Sequence, residues 1–244
     1  MDQGSVSTIR ARYDQVREKI DAAARKAGRN PDSVRLVVVT KTHPVETVRA
    51  ALEAGIRDLG ENYAEEAVEK IRAIGAVDGL CWHMIGHVQS RKADLVAQNF
   101  NFMHSLDSVK LGSRLERFAA EAGRILPVLL ECNVGGEESK FGYPAFEQAH
   151  WDILVAEARQ IVHLPHLEIR GLMTMPPLYD DAEKTRPFFR RLRELQDYLS
   201  TQVPQVKWGE LSMGTSADFT AAVEEGATLV RVGTAILGAR PPKV

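Results

Sequence analysis

The chain has 244 residues, 44% of them hydrophobic and 26% charged, with a formal net charge of −2 from 31 basic and 33 acidic side chains. That balance excludes a disordered or fibrous chain and leaves no overall electrostatic footprint for nucleic acid or an anionic membrane. No apolar run approaches the ~20 residues that span a bilayer.

Val6, Ile9, Tyr13, Val16, Ile20, Ala23 and Ala27 recur at spacings of three and four, one face of a helix that Gly28 stops. Residues 1–30 are therefore expected to form an N-terminal helix packed on the body of the domain. Val34 to Thr40 is a β-branched apolar run, which suits a strand buried on both faces. From there strand and helix alternate. Strands are expected at 58–61, 81–85, 100–105, 126–134, 167–172, 210–213 and 229–232. Helices are expected at 44–54, 64–74, 90–97, 109–122 and 146–161, in the stretch marked by Phe188, Leu192, Leu195 and Leu199, and at 217–224. Thr185, with Pro187 behind it, is expected to start the helix of Phe188.

Eight strand candidates, each followed by helix or helix-like sequence, mean parallel βαβ units. Eight units and about ~250 residues predict one α/β domain over 1–244, a single (β/α)8 TIM-type barrel with an extra N-terminal helix. Cys81 and Cys132 lie in apolar strand-like runs and read as buried free thiols. Metal ligation needs more ligands at closer spacing. Without a leader-like N-terminus the expected location is the reducing cytoplasm.

Barrel enzymes carry their chemistry at the C-terminal ends of strands, with phosphate sites after the seventh and eighth. Here those loops hold Ser212, Gly214, Thr215 and Ser216, then Arg231, Gly233 and Thr234. Their glycines, hydroxyls and following helix starts suit an anion, although helix capping uses the same groups. Lys41 follows the first strand. A lysine there can snorkel to water, but behind a doubly buried strand it points into the barrel mouth. A partly desolvated amine forms Schiff bases. A lysine beside a phosphate site suits pyridoxal 5′-phosphate (PLP), and it equally suits a phosphosugar.

Six motifs then carry a resemblance. Val38-Val39-Thr40-Lys41-Thr42, Gly60-Glu61-Asn62-Tyr63, Trp82 to Gln89, Gly171 to Met175, Leu211 to Asp218 and Val230 to Thr234 stand in order over roughly 34–238. Together they resemble the pyridoxal phosphate homeostasis protein family, whose barrel is similar to the N-terminal domain of alanine racemase. Thr215 and Arg91 depart from the family pattern, which more often has methionine and asparagine there.

The resemblance implies that PLP is held as a Schiff base on Lys41. Ser212, Gly214, Thr215, Ser216, Gly233 and Thr234 would surround the phosphate, Arg231 would face the pyridine nitrogen, and Asn62, His83 and Met173 would line the ring pocket. His83 can equally be a core histidine, and Met173 and Met175 packing residues. Asp218 reads as a helix N-terminal acid. Lys140, between Gly135-Gly136 and Gly142, is the other lysine that could reach an aldehyde. The function implied is a monomeric PLP carrier and regulator of vitamin B6 and amino-acid pools, with PLP-dependent apo-enzymes as partners. The alternatives are a PLP-dependent racemase or lyase, and a Schiff-base aldolase. The absence of sequence for a second domain after the barrel favours the carrier.

Overall fold

A computed structural model describes residues 3–239. Its organising feature is a closed ring of eight parallel strands: β1 (Arg35–Val39), β2 (Asp58–Glu61), β3 (Cys81–Met84), β4 (Phe102–Leu106), β5 (Leu126–Asn133), β6 (Leu167–Met173), β7 (Glu210–Ser212) and β8 (Leu229–Val232). Each strand pairs with the next, and β8 pairs with β1 to shut the ring. Tyr143–Pro144 adds a two-residue bridge to the end of β5, outside the ring.

Nine α-helices are assigned among the described residues: α1 (Gln3–Lys26), α2 (Val45–Glu53), α3 (Ala64–Ile74), α4 (Ala93–Asn99), α5 (Val109–Glu121), α6 (Trp151–Ile161), α7 (Arg186–Gln202), α8 (Phe219–Glu224) and α9 (Thr234–Leu237). None is long and apolar enough to cross a membrane. The expected barrel with an N-terminal helix is what forms. α1 packs against α2, α8 and α9, so it covers the seam where β8 meets β1. It buries Ile9, Val16, Ile20, Ala23 and Ala24 there. Full burial of one such isoleucine stabilises by roughly 1.5–3 kcal/mol.

Boundaries move in several places. α1 ends at Lys26, so Ala27 is exposed rather than on the buried face. α6 starts at Trp151, because 148–150 is a single 3-10 turn. β4 starts two residues later than expected. Thr185 stands at the start of α7, but its hydroxyl donates back to the carbonyl of Ala182 and does not cap the helix. The strand pattern also hides two different surfaces. Leu36, Val38, Leu59, Met84, Leu130 and Val230 face the helical shell. Between them, alternate residues point inward, as the pleat requires. Val37, Phe102, Leu129, Met173 and Leu229 form the apolar plug of the barrel. His83, His104, Ser212 and Arg231 lie among the buried polar residues.

Candidate functional site

A cavity of about 520 Å³ opens at the C-terminal mouth of the barrel. It is the size of an ordinary small-molecule site. Seven of the expected residues line it: Lys41, Asn62, Thr215, Ser216, Arg231, Gly233 and Thr234. They come from the ends of β1, β2, β7 and β8, which the ring brings together. Among the residues lining the cavity, Lys41 is the one lysine. Lys140 instead sends its ammonium to the carbonyl of Met175 at 2.9 Å and pairs with Glu137. It lines a smaller recess of about 150 Å³ beside the cavity.

Lys41 is held by its neighbours. Thr42 has φ +63, a left-handed conformation that a β-branched residue rarely adopts. Its N–H donates to Glu66 Oε1 at 2.7 Å, and Lys70 Nζ bonds that same oxygen at 2.6 Å. Lys70 also reaches the carbonyl of Thr40 and Glu61 Oε1, each at 2.8 Å. Thr40 Oγ1 donates to Glu61 at 2.7 Å. Both residues flanking Lys41 are thus tied to one buried charge cluster. Burial pushes the Glu61 carboxyl up, against the pull of Lys70.

The phosphate-type loops are more occupied than the sequence suggests. Thr215 gives both its N–H and its hydroxyl to Asp218 Oδ1, at 2.6 and 3.0 Å. Asp218 therefore braces this loop, standing at the start of α8 as an acid should. Ser216 Oγ and the N–H of Gly233 lie 3.4 Å apart, which ties the two loops to each other. Thr234 begins α9 and is exposed.

Four expected residues do not line the cavity. Gly214 is buried, at φ +93, and an added Cβ would meet Ala222 Cβ at 2.6 Å. Its smallness serves the packing of α8 under the loop. Met173 sits in the apolar plug, and Met175, two residues on, lines the cavity in its place. Ser212 lies one layer beneath, where its hydroxyl takes a hydrogen bond from Arg231 Nη1 at 2.6 Å. His83 is deeper still. Its ring bonds to His104 Nε2 at 2.9 Å and to Asp58 Oδ1 at 3.0 Å. It is a core histidine, satisfied by side chains and not by a backbone carbonyl.

Arg231 forms the floor. It is buried, and its Nη2 bonds the carbonyl of Thr174 at 2.9 Å and Met175 Sδ at 2.8 Å. Burial lowers its guanidinium to about 10, so it stays charged at neutral pH. Beside it Glu131 is pushed up to about 7, first by burial and then by Asp107. Glu131 lines the cavity with a buried oxygen that has no hydrogen-bond partner, as does Asn62. Two unsatisfied acceptors in a largely apolar cavity fit a ligand that brings donors. His87, Phe141 and Leu178 complete the rim, with the His87 and Phe141 rings stacked at 3.6 Å.

Glu131, Phe141 and Leu178 had no sequence signal that set them apart. His104 had one: a lone histidine in the apolar strand Phe102-Met103-His104-Ser105-Leu106. Asp58, Cys81 and His83 also converge, with ligand-type atoms within 4.8 Å of one another at the N-terminal mouth. Arg35 stands close enough for its charge to act on Cys81 and His83, which opposes a cation. Burial pushes the Cys81 thiol up to about 12.

The fold and mouth define a class: a barrel of the alanine racemase N-terminal type. The family model described as alanine racemase, N-terminal domain, matches residues 12–241. The chain is 38% identical over 238 residues to the pyridoxal phosphate homeostasis protein of Vibrio alginolyticus, across 96% of this chain and 99% of the relative. It is 40% identical over 230 residues to that of Escherichia coli K12, across 93% and 94%. PipY of Synechococcus elongatus, a structure with PLP bound, is 36% identical with a TM-score of 0.81, covering 94% of this chain and all of PipY. The chain belongs to the pyridoxal phosphate homeostasis protein family. The alanine racemase of Streptomyces lavendulae shares the fold, with a TM-score of 0.71 at 21% identity, and this chain spans 58% of its length.

Proposed function

We propose that the chain binds PLP in the cavity at the C-terminal mouth, as a Schiff base on Lys41, and serves as a PLP carrier and regulator. The observation that carries this reading is the convergence of Lys41, Arg231, Asn62 and the two loops of Ser216 and Gly233–Thr234 on one cavity. The PLP-bound PipY structure, alike over nearly the whole chain, supports it. PLP supplies an aldehyde that condenses with amines and a ring that draws electrons from the attached carbon. In this reading the loops hold the phosphate through Ser216, Gly233 and Thr234, with Thr215 braced by Asp218 and Gly214 and Ser212 shaping the layer beneath. Asn62 and Met175 flank the ring, a place the resemblance gave to Met173. Arg231 presents N–H groups to the ring nitrogen.

A guanidinium only donates and is always charged, so it disfavours a protonated ring nitrogen. That weakens the ring as an electron sink and suits holding over catalysis. With the reading go a single cofactor-binding domain over 1–244, a monomer, a cytoplasmic location and PLP-dependent apo-enzymes as recipients. The test is the visible spectrum of the protein with PLP before and after borohydride. A visible band that borohydride bleaches supports the Schiff base, and its absence with saturating PLP refutes it.

A further inference from the structure

One chain of hydrogen bonds runs through the barrel from the cavity floor to the opposite mouth. Arg231 Nη1 lies 2.6 Å from Ser212 Oγ, Ser212 Oγ 2.9 Å from His104 Nδ1, His104 Nε2 2.9 Å from His83 Nδ1, and His83 Nε2 3.0 Å from Asp58 Oδ1. The links span β8, β7, β4, β3 and β2, so no stretch of sequence contains them. Both ends have fixed roles. A guanidinium can only donate, and an ionised carboxylate can only accept.

Those two ends dictate every proton between them. Asp58 accepts, so His83 carries its hydrogen on Nε2 and offers Nδ1 as an acceptor. His104 must then carry its hydrogen on Nε2 and accept at Nδ1. Ser212 donates to that nitrogen, and its oxygen accepts from Arg231. The chain closes with every group satisfied and both imidazoles neutral. Burial agrees: both rings are fully buried, which lowers their proton affinity, and His104 is lowered further by His83 and Arg231. A proton added to His83 would set its Nδ1–H against the Nε2–H of His104, and one added to His104 would set its Nδ1–H against the Ser212 hydroxyl hydrogen. The other charges that face this chain are Arg35 on β1 and Glu210 on β7 at the Asp58 end, with Asp218 and Glu131 at the Arg231 end.

We propose that Asp58, acting through His83 and His104, is a positioning residue for Arg231. The carboxylate fixes both histidine tautomers, which turns the Ser212 hydroxyl hydrogen away from Arg231 and leaves it an oxygen lone pair. That lone pair and the Thr174 carbonyl hold the guanidinium at the cavity floor. Without the carboxylate, His83 can move its hydrogen to Nδ1. It then faces the hydrogen on His104, whose tautomer must change in turn. His104 Nδ1–H then becomes a second donor to Ser212 Oγ, so the hydroxyl hydrogen loses its acceptor and Arg231 shares the oxygen with the imidazole. The consequence for the cofactor rests on the reading that Arg231 faces the ring of PLP, whereas the tautomer order does not.

Long-range proton–nitrogen spectra of 15N-labelled, cofactor-free protein test the order directly. The expected result is a single neutral Nε2–H tautomer for both His83 and His104 between pH 6 and 8. Asp58→Ala should mix the tautomers of His104 as well as those of His83. Asp58→Asn, whose carbonyl oxygen can accept the same hydrogen, should restore them. With PLP added, Asp58→Ala should weaken binding by about tenfold, the loss of one well-made hydrogen bond. It should also shift the pH midpoint of the visible band, and Asp58→Asn should revert both. An Nδ1–H tautomer on either ring of the unmodified protein would overturn the proposal, and that result needs no variant to fold. So would a single unchanged His104 tautomer in Asp58→Ala, or an unmoved band in a protein that binds PLP. An unmodified protein that shows the expected tautomers but takes up no PLP would refute the PLP reading and leave the tautomer order standing.

Discussion

Lys70 Nζ lies 2.8 Å from Glu61 Oε1 with both side chains buried, and the pair stands directly behind the strand end that carries Lys41. The same ammonium holds the Thr40 carbonyl and, through Glu66, the left-handed Thr42. A buried pair contributes little net stability while intact, but breaking it leaves an uncompensated charge. Its value here is geometric, because it fixes the backbone on both sides of Lys41, the one lysine lining the cavity among the described residues.

Lys70→Met is therefore expected to destabilise the fold by about 3–5 kcal/mol. For a chain of this size that lowers the melting temperature by roughly 6–20 °C. Adding Glu61→Met should recover much of the loss, since it removes the orphaned charge. Thr42→Gly should cost less than about 1 kcal/mol, because glycine adopts positive φ without strain. Calorimetry on the four proteins checks this. A harmless Lys70→Met would show that the cluster does not brace the lysine.

Pyridoxal without its phosphate should bind at least ~100-fold more weakly than PLP. Each charge-assisted hydrogen bond contributes roughly 1.5–3 kcal/mol, and tenfold in affinity is 1.4 kcal/mol. Ser216 and Thr234 offer the donors, with the Gly233 N–H shared with Ser216 Oγ through a long 3.4 Å contact, since those of Thr215 are taken by Asp218. Ser216→Ala should thus weaken PLP more than Thr215→Val does. Spectral titration gives both affinities. Equal binding of the two ligands would reduce these loops to helix caps.

Arg231→Glu should loosen PLP and raise any α-proton exchange with amino acids in deuterated water. A carboxylate at that place favours a protonated ring nitrogen and a stronger electron sink. The arginine makes no ion pair within 4 Å among the described residues; its partners are Ser212, Thr174 and Met175. Its loss should leave the Ser212 and Thr174 acceptors unmet, and it sets the new carboxylate beside the buried Glu131. An unchanged spectrum and unchanged retention in a protein that melts much lower would remove Arg231 from the ring nitrogen.

Two opposing pH effects on stability are expected. His83 and His104 are lowered in the fold, so they stay neutral while the unfolded chain takes up protons below about pH 6.5. Their contribution is present above that value and is lost as pH falls through it. Glu131 is raised to about 7 from 4.5, so its contribution is present below 4.5 and is lost as pH rises towards 7. Glu131→Gln should accordingly raise the melting temperature at pH 8 relative to the unmodified protein, with little change at pH 4. A gain confined to low pH would contradict the sign.

Much of the fold and mouth was legible in the sequence. The parallel ring follows from the alternation of elements, and Lys41, Asn62, Ser216, Arg231 and Thr234 follow from their places after strands. What escaped reading comes from inside the barrel. Adjacent strands bring Asp58 beside Cys81, and β4 brings His104 to Ser212 across 108 residues. No spacing along the chain encodes such pairs. Met173 was placed one layer too high: Met173 and Met175 share the inward side, and only the later one reaches the mouth. β6 runs through Met173, so that side chain enters the plug and Met175 reaches the cavity.

In the proposed function one amine, that of Lys41, holds PLP. Reducing the PLP-loaded protein with borohydride and mapping the labelled peptide tests it most directly. Label is expected on Lys41 alone in the unmodified protein, with a folded Lys41→Ala variant that carries no covalent chromophore. Label on Lys140 or another lysine, with Lys41 unmodified, would contradict it.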